Sequence, residues 1–292
     1  MSKVILITGA SAGFGFDAAE TLAKAGHRVF ASMRDVAGRN QEKAAALQAN
    51  KIDVVELDVT TDASVNAAVA QVLKAAGRID VLINNAGAGA TGISEAYTSE
   101  QVTRLFDVNV VGVQRTSRAV LPTLRKQGEG LIINIGSVLG RTTLPFLGIY
   151  GATKFALDSI TQSYRYEVAP FGVEVSLLQP SAYPTDIYTK GQMEPEDSDR
   201  IGTYGEVATI LDNMRAGFAQ MLSGPNAPDS HEVAEALVKL VAEPKGQRPA
   251  RVIVGTAFGA DVLNATAAQV QAQALGALGL GGIIPAFDTP NA

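Results

Sequence analysis

Short runs rich in Val, Ile and Leu occupy residues 4–8, 28–33, 53–57, 81–84, 131–135, 173–178 and 251–255. In most of them apolar side chains follow one another without polar alternation, the pattern of strands covered on both faces. Between them lie longer segments of helical composition, among them 17–25, 63–76, 100–125 and 150–168. Strand alternating with helix predicts an α/β fold: a doubly wound parallel sheet, Rossmann-like, with about seven strands and helices on both faces.

The rhythm breaks after Pro180. Residues 181–229 show no obvious strand and carry Pro184, Pro195, Pro225 and Pro228 with a charged patch at 194–200. The segment follows the C-terminal end of a strand, where open sheets bind ligands, so it is expected to be a substrate-binding insertion or lid. A second irregular stretch is 274–292, where Gly276, Gly279, Gly281 and Gly282 lead into Ile283-Ile284-Pro285-Ala286-Phe287. It is expected to be a C-terminal arm whose apolar end is covered by the subunit's own pocket or by a neighbouring subunit. No repeat or linker-like shift interrupts residues 1–180, so a single domain over 1–292 is expected.

Composition removes several alternatives. A chain of 292 residues with net charge −5 can build a large core and has no cationic footprint for nucleic acid or an anionic membrane. The absence of Cys excludes disulfides, thiol nucleophiles and Cys-ligated metals, and two isolated histidines, His27 and His231, argue against a His-built site. The first apolar run is too short for a secretion signal, and no run reaches the ~20 residues of a membrane span. A cytoplasmic protein is expected.

Candidate chemistry begins right after the first run, with Thr8-Gly9-Ala10-Ser11-Ala12-Gly13-Phe14-Gly15 opening a helical segment. Glycines let backbone N–H groups approach a pyrophosphate, and the helix N-terminus favours the anion. Strand, turn and helix in that order point to a dinucleotide.

The spacing Gly9-x-x-x-Gly13-x-Gly15 resembles the pattern of short-chain dehydrogenases/reductases, and further motifs follow in the family's order. Asp58, in Leu57-Asp58-Val59, is similar to the family's adenine-binding acid, with Val59 beside it. Asn84-Asn85-Ala86-Gly87 resembles the motif that supports the sheet and the adenosine ribose. Asn109, Ser137, Tyr150 and Lys154 fall where the family carries its catalytic tetrad. Pro180-Ser181-Ala182-Tyr183-Pro184-Thr185 is similar to a Pro-Gly-x-x-x-Thr segment near the nicotinamide, with Ser181 in place of glycine. If that position requires positive φ, Ser181 is expected to be strained. The resemblance spans roughly residues 3–186 and, more loosely, the strand near 251–255.

An acid at the end of the second strand grips the ribose 2′-OH, whereas a basic residue accommodates a 2′-phosphate. Here Met33 occupies the acid position and Arg34 follows, so the resemblance implies NADP(H), with Ser11 as a further donor and NAD(H) still open. Asp35 places an opposing charge beside the proposed phosphate site.

Tyr150 and Lys154 are i and i+4 on one helix face. A nearby ammonium, with the positive ring of an oxidised nicotinamide, favours phenolate and is expected to lower the tyrosine pKa, so that Tyr150 exchanges a proton with a carbonyl or alcohol. Ser137 can orient the substrate oxygen. Asn109 either ties two backbone segments together, relays protons toward Lys154 as the resemblance implies, or does both.

Leu139, Phe146 and Leu147, with Tyr183 and Tyr188, are expected to form an apolar substrate wall free of clustered Arg or Lys. A small hydrophobic ketone, aldehyde or alcohol fits such a wall. Residues 107–112 and 170–173 resemble hydroxysteroid and retinol dehydrogenases within the family. The leading reading is a carbonyl reductase or alcohol dehydrogenase. An epimerase or dehydratase using the same Tyr and Lys, and a cofactor-binding redox sensor without turnover, remain as alternatives. The resemblance implies a homodimer or homotetramer. Leu157, Ile160, Tyr164 and Val168 form an apolar helix stripe that suits subunit pairing or core packing equally.

Overall fold

Each of the seven apolar runs becomes a strand in the computed structural model, which describes residues 1–188 and 191–283. In chain order the strands are β1 (Val4–Ile7), β2 (Arg28–Met33), β3 (Asp53–Glu56), β4 (Val81–Asn84), β5 (Gly89–Ala90), β6 (Gly130–Ile135), β7 (Val173–Pro180), β8 (Gln192–Met193) and β9 (Arg251–Val254). All but β5 and β8 form one sheet, order β3-β2-β1-β4-β6-β7-β9, with parallel pairing throughout. The apolar runs read as double-sided because they are. Ile5 and Ile7 of β1 join one buried cluster and Val4 and Leu6 the other, as alternate side chains of a strand must. The order reverses between β1 and β4, which opens a crevice at their C-terminal ends.

The helices are α1 (Gly13–Lys24), α2 (Gln41–Ala49), α3 (Asp62–Ala76), α4 (Ser99–Phe106), α5 (Gly112–Gln127), α6 (Gly148–Val168), α7 (Ser198–Thr203), α8 (Glu206–Ser223), α9 (His231–Ala242) and α10 (Ala260–Ala277). The predicted helix 100–125 is divided: α4 and α5 are joined by one π-helical turn, Asp107–Val111, which carries Asn109. Such a turn inserts an extra residue into the helical register and turns a side chain out of sequence phase. In the stripe on α6, Leu157 and Val168 are buried in the core and Tyr164 packs against it, so most of its apolar surface is already covered within the chain.

Beyond β7 the chain forms a 3-10 turn (Asp186–Tyr188), then β8, α7 and α8. The two-residue β8 pairs with β5, a strand that no apolar run announced. Helix α10 continues to Ala277, so the first residues of the expected arm are helical and Gly276 lies inside a helix. Ile283 ends a 3-10 turn, and the apolar Ile284-Pro285-Ala286-Phe287 lies outside the described residues. Among the described residues no helix is long and apolar enough to cross a membrane.

Candidate active site

The glycine turn is locked to the end of β4. Thr8 Oγ1 accepts from the N–H groups of Asn85 and Ala86, each at 3.0 Å, and Asn85 Nδ2 donates to the carbonyls of Thr8 (2.9 Å) and Gly9 (3.0 Å). This contact requires the glycines. A Cβ on Gly9, at φ +68°, would lie 2.7 Å from Ala86 Cα, and one on Gly15 would lie 2.3 Å from Asn85 Nδ2. Beyond the turn, α1 is preceded by Ala12, which offers no side-chain cap, and has no acidic residue in its first turn. Its leading N–H groups and positive dipole end are therefore left for an anion, which fits a pyrophosphate. Thr185 closes the other side, with its Cβ 3.6 Å from where a Cβ on Gly13 would stand. Ser11 is half-buried in the turn, and Gly87 lies beside Asn109 and Lys154.

At the other end of the crevice Met33 is buried and Arg34 exposed. The opposing charge of Asp35 is engaged in its own turn: its carboxylate accepts from Arg39 N–H at 3.1 Å and lies 3.9 Å from the Arg39 guanidinium. Burial pushes the Asp58 carboxyl up, but hydrogen bonds from Thr60 and the charges of Arg34 and Arg39 outweigh it and hold the group below its usual range. Arg39, which the sequence did not single out, is thus a second cation near this acid. Val59 is buried against Gly112, whose Cβ position would be 2.9 Å from it.

The four tetrad residues converge from separate elements. Ser137 follows β6, Asn109 comes from the π turn, and Tyr150 and Lys154 come from α6. Lys154 is buried, donates from Nζ to Ile135 O at 2.9 Å and lies 5.6 Å from the Tyr150 ring centroid. Burial lowers its pKa to about 8. The Tyr150 phenol, by contrast, is pushed up by burial and by neighbouring Tyr188, and a hydrogen bond with Ser137 offsets only part of this. This upward direction belongs to the protein without a coenzyme, whereas the expected lowering includes the positive ring of a bound oxidised nicotinamide. A protonated phenol is the form that donates to a carbonyl. Asn109 Oδ1 accepts from Ala88 N–H (2.8 Å), while Nδ2 donates to Ala88 O (2.9 Å) and Thr153 Oγ1 (3.1 Å).

A cavity of about 710 Å³ opens in front of Ser137 and Tyr150. It is floored by Ser181, Ala182, Pro184 and Thr185 and walled by Leu139, Leu147, Tyr188 and the Met214, Phe218 and Leu222 side of α8. Tyr188 stacks on Phe218 with centroids 6.2 Å apart, and burial raises its pKa to about 12.

The model of the short chain dehydrogenase family matches residues 3–195. The chain belongs to this family. A 3-ketodihydrosphingosine reductase of Bacteroides thetaiotaomicron is 40% identical over 63% of this chain and 65% of its own length, so the match spans just under two thirds of that relative. Human 17-beta-hydroxysteroid dehydrogenase type 1 is 36% identical over 83% of this chain and 75% of its own length. A short-chain dehydrogenase structure from Streptomyces avermitilis has a TM-score of 0.76 at 30% identity, covering 96% of this chain and 98% of that one. This short-chain dehydrogenase is therefore an oxidoreductase of a family that binds NAD(P)(H) on a Rossmann fold and acts on small molecules.

Two expected wall residues do not line the cavity. Tyr183 is fully buried: its hydroxyl donates to Glu232 at 2.7 Å and its ring meets Phe14 edge-on, 5.7 Å between centroids. It buttresses the glycine-turn helix from behind. Phe146, at φ +65°, packs toward Ile93, Ala96 and Leu211, and Leu144 takes its place in the wall. The anticipated strain at Ser181 is absent, since its φ is not positive. Gly255, at φ +81°, is the residue that makes room, and a Cβ there would lie 2.3 Å from Ser181 Oγ. Pro180 simply ends β7.

Sequence reasoning also missed Arg215 on α8, which reaches the wall and is held by Glu194 at 3.3 Å and Thr91 O at 3.0 Å. Beneath the site, Asn84 Nδ2 donates to Asn134 Oδ1 (2.9 Å), Thr116 donates to Asn84 Oδ1 (2.6 Å) and Asn134 donates to Thr161 (2.8 Å). Asn134 within the apolar run 131–135 was the available signal, because a buried amide needs partners.

Proposed function

We propose that this short-chain dehydrogenase is an NADP(H)-dependent carbonyl reductase that interconverts hydrophobic ketones or aldehydes with their alcohols. The observation that carries the reading is the Tyr150 phenol, hydrogen-bonded with Ser137, at the edge of a largely apolar cavity of about 710 Å³. That volume lies within the range of small-molecule sites. When bound, the coenzyme supplies the hydride. Ser137 positions the substrate oxygen, Tyr150 gives it a proton, and Lys154 and Asn109 hold the polar surroundings through Ile135 O, Ala88 and Thr153. Among the described residues lining the cavity Arg215 is the only cation, and it is paired with Glu194, which supports a neutral substrate.

Preference for the phosphorylated coenzyme is supported by Met33 at the acid position and by two arginines, Arg34 and Arg39, around Asp58. Residues 181–229 supply α8 as a movable wall of the same site, and assembly into a dimer or tetramer belongs to the same proposal, checked by light scattering.

The test is a panel of apolar ketones followed by NADPH absorbance, with wild type and Tyr150→Phe compared. Losing a general acid costs about 10²- to 10⁴-fold in rate. Equal turnover by the variant refutes the assignment, and coenzyme binding without turnover of any carbonyl favours the sensor reading.

A further inference from the structure

Arg34, the cation proposed to meet the coenzyme's 2′-phosphate, sits in a turn that is held by side chains from outside it. Glu56, the last residue of β3, pairs with Met33, the last of β2. From there its carboxylate accepts from two successive backbone amides: Asp35 N–H at 2.6 Å to Oε1 and Val36 N–H at 2.8 Å to Oε2. Hydrogen bonds to an ionised group are the stronger kind, and two from adjacent amides fix how the turn leaves the strand. Asn40 grips the same turn from the other side, donating from Nδ2 to Arg34 O at 2.5 Å. It stands just before α2, where asparagine ordinarily caps a helix, yet it makes no side-chain cap bond there. The Arg34–Asp35 peptide is therefore held by its oxygen and by its N–H at once.

That grip maintains an uncommon backbone conformation. Asp35 has φ +52°, in the left-handed region that side chains other than glycine seldom adopt. Its carboxylate folds back over the turn, where Oδ2 accepts from Arg39 N–H at 3.1 Å. Gly38 leaves the room for it, since a Cβ there would stand 2.2 Å from Asp35 Oδ1. The charge that would repel a phosphate is thus engaged within the turn. Arg34 is exposed, and its guanidinium makes no hydrogen bond or ion pair with any described residue. We infer that Glu56 and Asn40 are positioning residues for coenzyme choice: by fixing the Arg34–Asp35 peptide they present Arg34 to the 2′-phosphate and hold Asp35 back from it.

Both roles rest on the proposed NADP(H) preference and deepen it, because they act through Arg34 without contact of their own with the phosphate. Charge alone gives Glu56 the opposite sign. Neutralising an acid near a phosphate site tightens an anion, whereas loosening the turn that presents Arg34 weakens it. In Glu56→Gln the amide oxygen can accept from one of the two N–H groups, but the amide nitrogen cannot accept from the other. Asn40→Ala releases Arg34 O with no change of charge.

Fluorescence titration of the full chain with NADPH and with NADH tests this. Glu56→Gln and Asn40→Ala are each expected to weaken NADPH binding by about three- to tenfold, the worth of one exposed hydrogen bond, and to leave NADH nearly unchanged. Placed on an Arg34→Ala background, neither substitution is expected to weaken NADPH further, because all three act through one contact. Asn40→Ala decides the question if circular dichroism shows that Glu56→Gln does not fold. Should Arg34→Ala itself leave NADPH binding unchanged, the coenzyme preference falls and these roles fall with it. Where Arg34→Ala does weaken NADPH, equal or tighter NADPH binding in the folded turn variants, or an equal loss for NADH, overturns the positioning roles alone.

Discussion

Replacing Asn109 with Leu keeps the side chain's size and removes all of its hydrogen bonding. Three bonds are lost: two to Ala88, at 2.8 and 2.9 Å, and one to Thr153 Oγ1 at 3.1 Å. Thr153 Oγ1 retains its own bond to Tyr150 O at 2.7 Å, so the cost falls chiefly on the Ala88 N–H and C=O. Each buried backbone group left unpaired costs about 1–3 kcal/mol, and Ala88 is half-buried, so a loss of about 2–4 kcal/mol follows. Set against a typical total of about 5–15 kcal/mol, the variant folds at room temperature but with a lower urea midpoint and an unchanged m-value. Circular dichroism in urea measures the first effect. Ketone reduction under conditions where the variant is fully folded measures the second, and a fall in kcat there separates an ordering role at Tyr150 and Lys154 from mere instability. A stability change below about 0.5 kcal/mol, the usual scatter of innocuous surface changes, would show that Ala88 is satisfied without Asn109 and refute the argument.

Other consequences follow from charge. Lys154 titrates at about 8 because it is buried, so the ammonium is present below that pH and lost above it. The kcat for reduction is expected to hold level up to about pH 8 and decline beyond, and a profile rising through that point contradicts the role given to Lys154. Arg34→Ala is expected to weaken NADPH binding while leaving NADH nearly unaffected, as read by fluorescence titration, and an equal effect on both coenzymes removes the 2′-phosphate contact. His231 and Asp17 join α9 to α1, and the hydrogen bond and charge of Asp17 raise the histidine pKa above 6.5. A raised folded-state pKa means that the stabilisation is complete below the unfolded value and fades as pH rises through the folded one. His231→Gln should therefore lower the melting temperature slightly near pH 5.5 and leave it unchanged near pH 8.5. The effect is small because the pair is exposed and screened.

The parts of the molecule that were legible in the sequence are those in which a short segment fixes its own environment. A strand buried on both faces must be apolar throughout, and every such run, from 4–8 to 251–255, became a strand of the main sheet. A turn that approaches another backbone within 3 Å must be glycine, and Gly9 and Gly15 meet that condition against Ala86 and Asn85. The parts that were not legible depend on partners distant in the chain. Tyr183 and Tyr188 are five residues apart in one loop and look alike as apolar, polar-tipped side chains. Glu232 on α9 draws one into the core, and Phe218 on α8 holds the other over the cavity. Nothing local distinguishes them.

The same division explains the tyrosine. Sequence spacing paired Tyr150 with Lys154, yet the direction of the phenol's shift comes first from burial, beside the cluster of Ala90, Tyr97 and Leu105, and then from Tyr188 in the 186–188 turn. A neutral phenol can give a proton to a carbonyl, and a phenolate can take one from an alcohol. Oxidation would require an added positive charge beside Tyr150, which a bound oxidised nicotinamide would supply and a reduced one would not. The surroundings of the phenol, supplied by residues distant in the chain and by the form of coenzyme that is bound, therefore decide its protonation, which the Tyr-x-x-x-Lys spacing alone does not.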